Sequence, residues 1–212
     1  MKSRYYAVMI LLCIVTIFSK STTANADDRY VKLCERYFTE FAEDYGKFGQ
    51  KDGFTYLYSD KKNTATIVAI PMEQKKVAVP EKINGKTVTK IELMDVFSCS
   101  SNYYFRDEFY GEHEDNPVPK VEYLSIPKTV KVINIYAGIG LTEGYYGELQ
   151  SYLVHLKKFN VASANKWYRS YKGMLYTKNG KKLLLVPRKY MAKTVKVKKG
   201  TTKIADFAFS FC

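Results

Sequence analysis

Apolar and polar positions along this chain follow two different rhythms. After Asp27, the residues Tyr30, Leu33, Cys34, Tyr37, Phe38, Phe41 and Tyr45 recur at the spacing of one helical face. Arg29, Lys32, Glu35, Glu40 and Asp44 occupy the other faces, Asp27 or Asp28 suits the N-cap, and Gly46 suits the stop. The pattern predicts an amphipathic helix within an N-terminal cap over 27–52. From Phe54 the period changes. Short β-branched runs such as "TATIVAI", "KVAVP", "TVTKI", "VEYLSIP", "TVKVI", "LKKFNV", "LLLVP" and "TVKV" alternate with turn residues, which predicts strands.

The strand region repeats itself. Ile126 and Ile133 are seven residues apart, as are Val197 and Ile204, and each pair is followed four residues later by an alanine, Ala137 or Ala208. Val79 and Ile91 fit the same unit with a five-residue insertion around Asn84-Gly85. Such units bury their inward apolar row only when a neighbour stacks on them, which predicts a solenoid. In "TVKVK", Val195 and Val197 are expected to face the core, with Lys196 and Lys198 on one outer face. The amphipathic helix is expected to cover the first rung.

The motifs "INGKTVTKI", "LSIPKTVKVI", "FNVASANKWYRSYKGMLYTKNGKKLLLVP" and "VKVKKGTTKIADFAFSFC" resemble the BspA-like leucine-rich repeat family of bacterial surface proteins. Ile126-Pro127 and the Ala208–Cys212 close match its pattern. Asn165, Tyr168, Ser170, Gly173, Leu175, Tyr176, Leu184 and Pro187 resemble a hairpin-bearing rung of that family. Lys172 departs from it, standing where an Asp often precedes the Gly. The resemblance implies an α/β, strand-rich leucine-rich-repeat solenoid over 53–212, with a curved parallel sheet and short strands or turns opposite. Inserts interrupt it near 100–119 and 141–155. It also implies a non-enzymatic role in binding on or outside the bacterial surface. The aromatic last rung is expected to be continued by further rungs or covered by another chain.

Export follows from the first 26 residues. Lys2 and Arg4 precede a twelve-residue apolar run, Ala7 to Phe18, and Ala24-Asn25-Ala26 offers a cleavage site. That run is too short for a membrane-spanning helix of about 20 residues. A cleavable signal peptide over 1–26 and no transmembrane anchor are therefore expected. Cleavage after Ala26 removes Lys2, Arg4 and Lys20 from 34 basic residues and none of 21 acids, leaving a net +10. The three remaining cysteines, Cys34, Cys99 and Cys212, form no disulfide framework or metal motif. They read as small apolar residues.

Basic charge is concentrated. From Lys157 to Lys203 there are fifteen Lys and Arg and no Asp or Glu. Outside a cell such a segment points to anionic polymers. Its candidate anion- or partner-binding residues are Lys181, Lys182, Arg188, Lys189, Lys196, Lys198 and Lys199. Catalytic chemistry is not expected: the histidines, His113 and His155, are far apart, and no nucleophile elbow, zinc motif or phosphate loop is present. His155 reads as a packed residue. The acidic run from Asp107 to Asp115 lacks the oxygen spacing of a calcium loop and reads as a solvated insert. No cofactor or metal is expected. The aromatics Trp167, Tyr168, Tyr171 and Tyr176 read as packing residues, so no nucleic acid is expected. The sequence thus describes a secreted or surface binding module for an extracellular protein or glycan, with envelope retention on anionic cell-wall polymers as the alternative.

Overall fold

The two-residue period is realised as strands that alternate between two parallel stacks. The structure, a computed structural model, describes residues 47–93, 119–134, 153–206 and 208–209. In chain order the strands are β1 (Lys47–Lys51), β2 (Phe54–Ser59), β3 (Thr64–Ala69), β4 (Lys76–Ala78), β5 (Lys82–Ile83), β6 (Lys86–Ile91), β7 (Tyr123–Ile126), β8 (Val132–Ile133), β9 (Lys158–Val161), β10 (Tyr168–Tyr171), β11 (Met174–Thr177), β12 (Lys182–Leu185) and β13 (Lys203–Ile204). One stack pairs β3, β6 and β8 in parallel, and the other pairs β4, β7 and β9 in parallel. Because the chain visits the stacks in turn, each coil adds one strand to both, which is the architecture of a solenoid.

Register confirms the repeat spacing. Ala78 lies opposite Ser125 and the Val79 amide donates to the Ser125 carbonyl at 3.0 Å, while Ile91 lies opposite Ile133. Val79 and Ile126 are therefore equivalent, as are Ile91 and Ile133. The insertion around Asn84-Gly85 is a two-residue hairpin between β5 and β6. Asn84 (φ 45°) and Gly85 (φ 77°) both take the left-handed conformation that such a turn demands. The hairpin occupies the first half of the β6 edge and β8 takes the end of it, so the insertion lengthens the coil without shifting the stack.

Between the stacks lies an apolar core that includes Ile67, Val77, Val88, Ile91, Leu124 and Phe159. Each such side chain contributes about 1.5–3 kcal/mol on leaving water. Asn165 is the exception in chemistry. Fully buried, its amide donates to the Pro127 and Val130 carbonyls at 2.8 and 2.9 Å. Its carbonyl accepts the Trp167 and Tyr168 amides at 2.9 and 2.8 Å. All four of its polar positions are used, two to tie its coil to the preceding one and two to fix its own turn.

The hairpin β10–β11 turns at Lys172-Gly173 and continues antiparallel into β12. Leu175 and Leu185 face the main core, whereas Met174, Tyr176 and Leu183 face a second cluster with Val186, Ala205 and Ala208. The β11–β12 pair is thus a wall with a core on each side. β13 then adds to β12 in parallel.

Several expectations change. Of the cap predicted over 27–52, residues 47–51 are strand β1 paired onto β2, and 27–46 lie outside the described residues. Among the described residues there is no helix. The α/β description is therefore corrected to all-β for them, because short strands and turns make both sides of each coil. The "TVKV" strand does not form. Val197 and Ile204 are 43% and 54% exposed, against 2% and 8% for Ile126 and Ile133. The Lys198 amide donates to the Tyr176 hydroxyl at 3.1 Å, which sets the phase of this segment and turns Val197 outward. Val195 does pack, against the second cluster. His155 is exposed, in a turn before β9, rather than packed. The signal peptide, the three cysteines, the acidic run and most of both inserts lie outside the described residues.

Candidate functional site

Parallel in-register pairing puts equivalent residues of successive coils side by side, at about 4.8 Å per strand. On the outward face of β4–β7–β9 this gives one file of Lys76, Tyr123 and Lys158 and another of Ala78, Ser125 and Asn160. The residues between them, Val77, Leu124 and Phe159, point into the core. Lys76, Val77, Ala78, Tyr123, Ser125 and Asn160 line a surface depression of about 480 Å³. The Lys76 ammonium sits 6.0 Å from the centre of the Tyr123 ring, at the outer reach of a cation–π contact.

A third file precedes the strands. The Lys75 carbonyl accepts the Glu122 and Tyr123 amides, and the Glu122 carbonyl accepts those of Lys157 and Lys158. Here the Lys157 ammonium donates to the Glu122 carboxylate at 2.8 Å, and Lys75 approaches it at 3.9 Å. The hydrogen bond from Lys157 holds the Glu122 carboxyl below its ordinary range, and the same bond raises Lys157. Glu122 is therefore ionised and already engaged at neutral pH. Lys157 and Lys75 engage this carboxylate while Lys76 and Lys158 stand exposed in the adjoining file, so among the described residues lysines outnumber carboxylates here. Beyond β9 the hairpin closes the file: the Phe159 amide donates to the Gly173 carbonyl at 2.8 Å, and Gly173 lies against the Lys158 side chain.

The residues singled out by charge fall into separate places. Lys182 lies opposite Lys203 on β12 and β13, and the Lys181 carbonyl accepts the Thr202 and Lys203 amides. Lys199 stands beside them at the Gly200 turn, its side chain exposed. Lys198 belongs to this end but is used structurally, with its methylenes across Gly180 and its ammonium on the Lys199 carbonyl at 3.2 Å. Arg188 and Lys189 follow Pro187 at the other end of β12, where the Lys189 amide ties back to the Leu156 carbonyl at 2.8 Å. Lys196 is exposed in the segment between. Among the aromatics, Tyr176 is fully buried, and Tyr168 accepts the Ile133 amide at 3.0 Å. Trp167 is 38% exposed, with the Lys131 ammonium 5.6 Å from its ring.

Charge density along the chain did not point to Lys76 or Tyr123, and it held Lys158 only as one of the fifteen cations from Lys157 to Lys203. The signal was in the repeat alignment: each stands three residues before its coil's equivalent apolar position, Val79, Ile126 and Val161.

No family model matches the chain, and no curated protein matches it. Two solved structures are similar to it in part. A leucine-rich repeat protein from Eubacterium ventriosum aligns with a TM-score of 0.36 at 14% identity, covering 74% of this chain and 55% of that one. The pneumococcal vaccine antigen PcpA aligns with a TM-score of 0.30 at 15% identity, covering 77% of this chain and 62% of that one. The chain thus spans roughly half to three-fifths of each structure's length. Likenesses this distant carry no argument about activity or partner. The stacked coils are established by the chain's own strand register.

Proposed function

We propose that the chain is an exported, BspA-like, non-enzymatic binding module that engages an extracellular macromolecule through the outward face of β4–β7–β9. The observation that supports this reading is the in-register display of Lys76, Tyr123 and Lys158 in one file, the first two lining a surface depression. A rigid ladder holds these side chains at fixed spacing, and preorganised groups bind without the ordering entropy that a loop would lose. The test is capture of extracellular-matrix proteins and of whole cells by the immobilised, folded chain. Specific retention is expected, and retention of nothing overturns the reading.

A second reading, retention on anionic polymers of the bacterium's own envelope, is favoured by the pairing of Lys182 with Lys203 beside Lys181 and Lys199. Adjacent exposed cations bind polyanions in a strongly salt-dependent manner, since screening acts within about 8 Å at physiological ionic strength. Binding to purified teichoic acid that survives high salt unchanged excludes this reading.

A further inference from the structure

We propose that the depression on β4–β7–β9 is a site for an anionic polysaccharide, one that carries carboxylate or sulfate groups at regular intervals. This rests on the binding-module reading and names its ligand. Charge gives the sign. Lys75 and Lys76 from one coil and Lys157 and Lys158 from another flank the coil that carries Glu122, and that carboxylate is already bonded to Lys157. Lys76 and Lys158, both exposed, have no carboxylate partner among the described residues; Lys76 lines the depression, and Lys158 stands next to its Tyr123 on the neighbouring strand.

Spacing gives the polymer character. Lys76 and Lys158 are two strands apart, about 10 Å along the stack. They are held by the ladder, so they suit a ligand whose anionic groups recur along its length.

Lining gives the sugar. Tyr123 stands between the two cations in the file and brings an aromatic ring and a hydroxyl, groups suited to the apolar and hydroxyl faces of a pyranose. Ser125 and Asn160 supply short hydrogen-bonding groups, and Ala78 keeps one wall low. The short side chains of Ala78, Ser125 and Asn160 suit hydroxyl groups, and poly-glutamate tests whether an acidic peptide is held as well.

The experiment measures binding of the whole chain to hyaluronan and heparin-derived oligosaccharides, with neutral dextran and poly-glutamate as comparison probes. Three variants are compared: Tyr123→Ala, the pair Lys76→Gln/Lys158→Gln, and the distant pair Lys61→Gln/Lys62→Gln, exposed on the β2–β3 turn of the other sheet. Melting curves establish that each is folded. Binding of at least one anionic oligosaccharide is expected, in preference to dextran and poly-glutamate. The Lys76/Lys158 pair should weaken it roughly tenfold or more, Tyr123→Ala several-fold, and the distant pair hardly at all. Equal losses from both lysine pairs, or tighter binding of poly-glutamate, overturn the proposal. Capture of matrix proteins with no oligosaccharide binding also overturns it while leaving the binding-module reading intact. Failure of both removes the two together.

Discussion

Two single residues make the stacked coils testable. Asn165 is buried, with its amide bonded to main-chain carbonyls of the preceding coil and its carbonyl to the amides of its own turn. Asn165→Ala strands two carbonyls and two amides, each unsatisfied buried group costing about 1–3 kcal/mol before relaxation. A net loss of about 2–4 kcal/mol is expected in urea unfolding. Asn165→Asp should be at least as damaging, since a carboxylate donates to neither carbonyl. A loss below about 1 kcal/mol in both would show that the coils do not depend on this residue. Glu122 is the other. Its carboxyl is lowered by the bond from Lys157, so its contribution is present above its ordinary value near 4.5 and is lost as pH falls through the folded value. Lys157 is raised above 10.5, so its contribution is present below that value and is lost as pH rises through the folded one. The melting-temperature gap between wild type and Glu122→Gln should therefore close as pH drops below about 4.5. At pH 7 the same substitution releases Lys75 and Lys157 and should tighten anionic oligosaccharide binding. A gap that stays constant with pH would mean that the ion pair is not its source.

Hairpins are the elements on which the coils turn. Lys172 and Gly173 both have positive φ, 51° and 86°, as a two-residue turn between Tyr171 and Met174 requires. Lys tolerates that region poorly and Asn tolerates it well, so Lys172→Asn should stabilise the chain by up to about 1 kcal/mol in thermal or urea unfolding. Gly173→Ala should destabilise it by about 1–2 kcal/mol, and its new methyl would press on the Lys158 side chain 3.0 Å away. Loss of oligosaccharide affinity beyond the stability effect would link the turn to the binding face. Much of this was legible in the sequence. Asn84-Gly85 marked an insertion, and the spacing of Val79, Ile91, Ile126 and Ile133 matched the observed register. What failed was period-two reading at the last coil. Val195 and Val197 alternate correctly, but the Tyr176 hydroxyl and the groove over Gly180 select the Lys198 backbone and stem instead. Tertiary partners of that kind leave no periodic trace. The candidate site was hidden for a different reason: Lys76, Tyr123 and Lys158 come from three coils far apart in sequence, whereas the densest run of lysines is distributed over both ends of β12.

At the scale of the molecule, the β11–β12 wall divides the apolar interior in two. The main core runs from Phe54 to Leu185, and the second holds Met174, Tyr176, Leu183, Val186, Ala205 and Ala208. In a stack where each unit touches only its neighbours, stability is close to a sum of unit and interface contributions, so the two cores need not fail together. Leu183 faces the second core and Leu124 the first. Truncating either to alanine removes about 2–5 kcal/mol, but from different places. With Leu183→Ala, hydrogen exchange should accelerate at the Thr202, Lys203 and Ala205 amides, which bond to Lys181 and Leu183 carbonyls. The Val79 and Asn134 amides, which bond to Ser125 and Ile91 carbonyls in the main stack, should change little. Leu124→Ala should accelerate the main-stack amides, and because β12 leans on that stack through Leu185, it should accelerate those of β13 as well. The expected asymmetry is the test: truncation at Leu124 reaches β13, whereas truncation at Leu183 stays local. Uniform acceleration across both groups in Leu183→Ala would show one cooperative core, and the wall would then be a boundary in geometry without being one in energy.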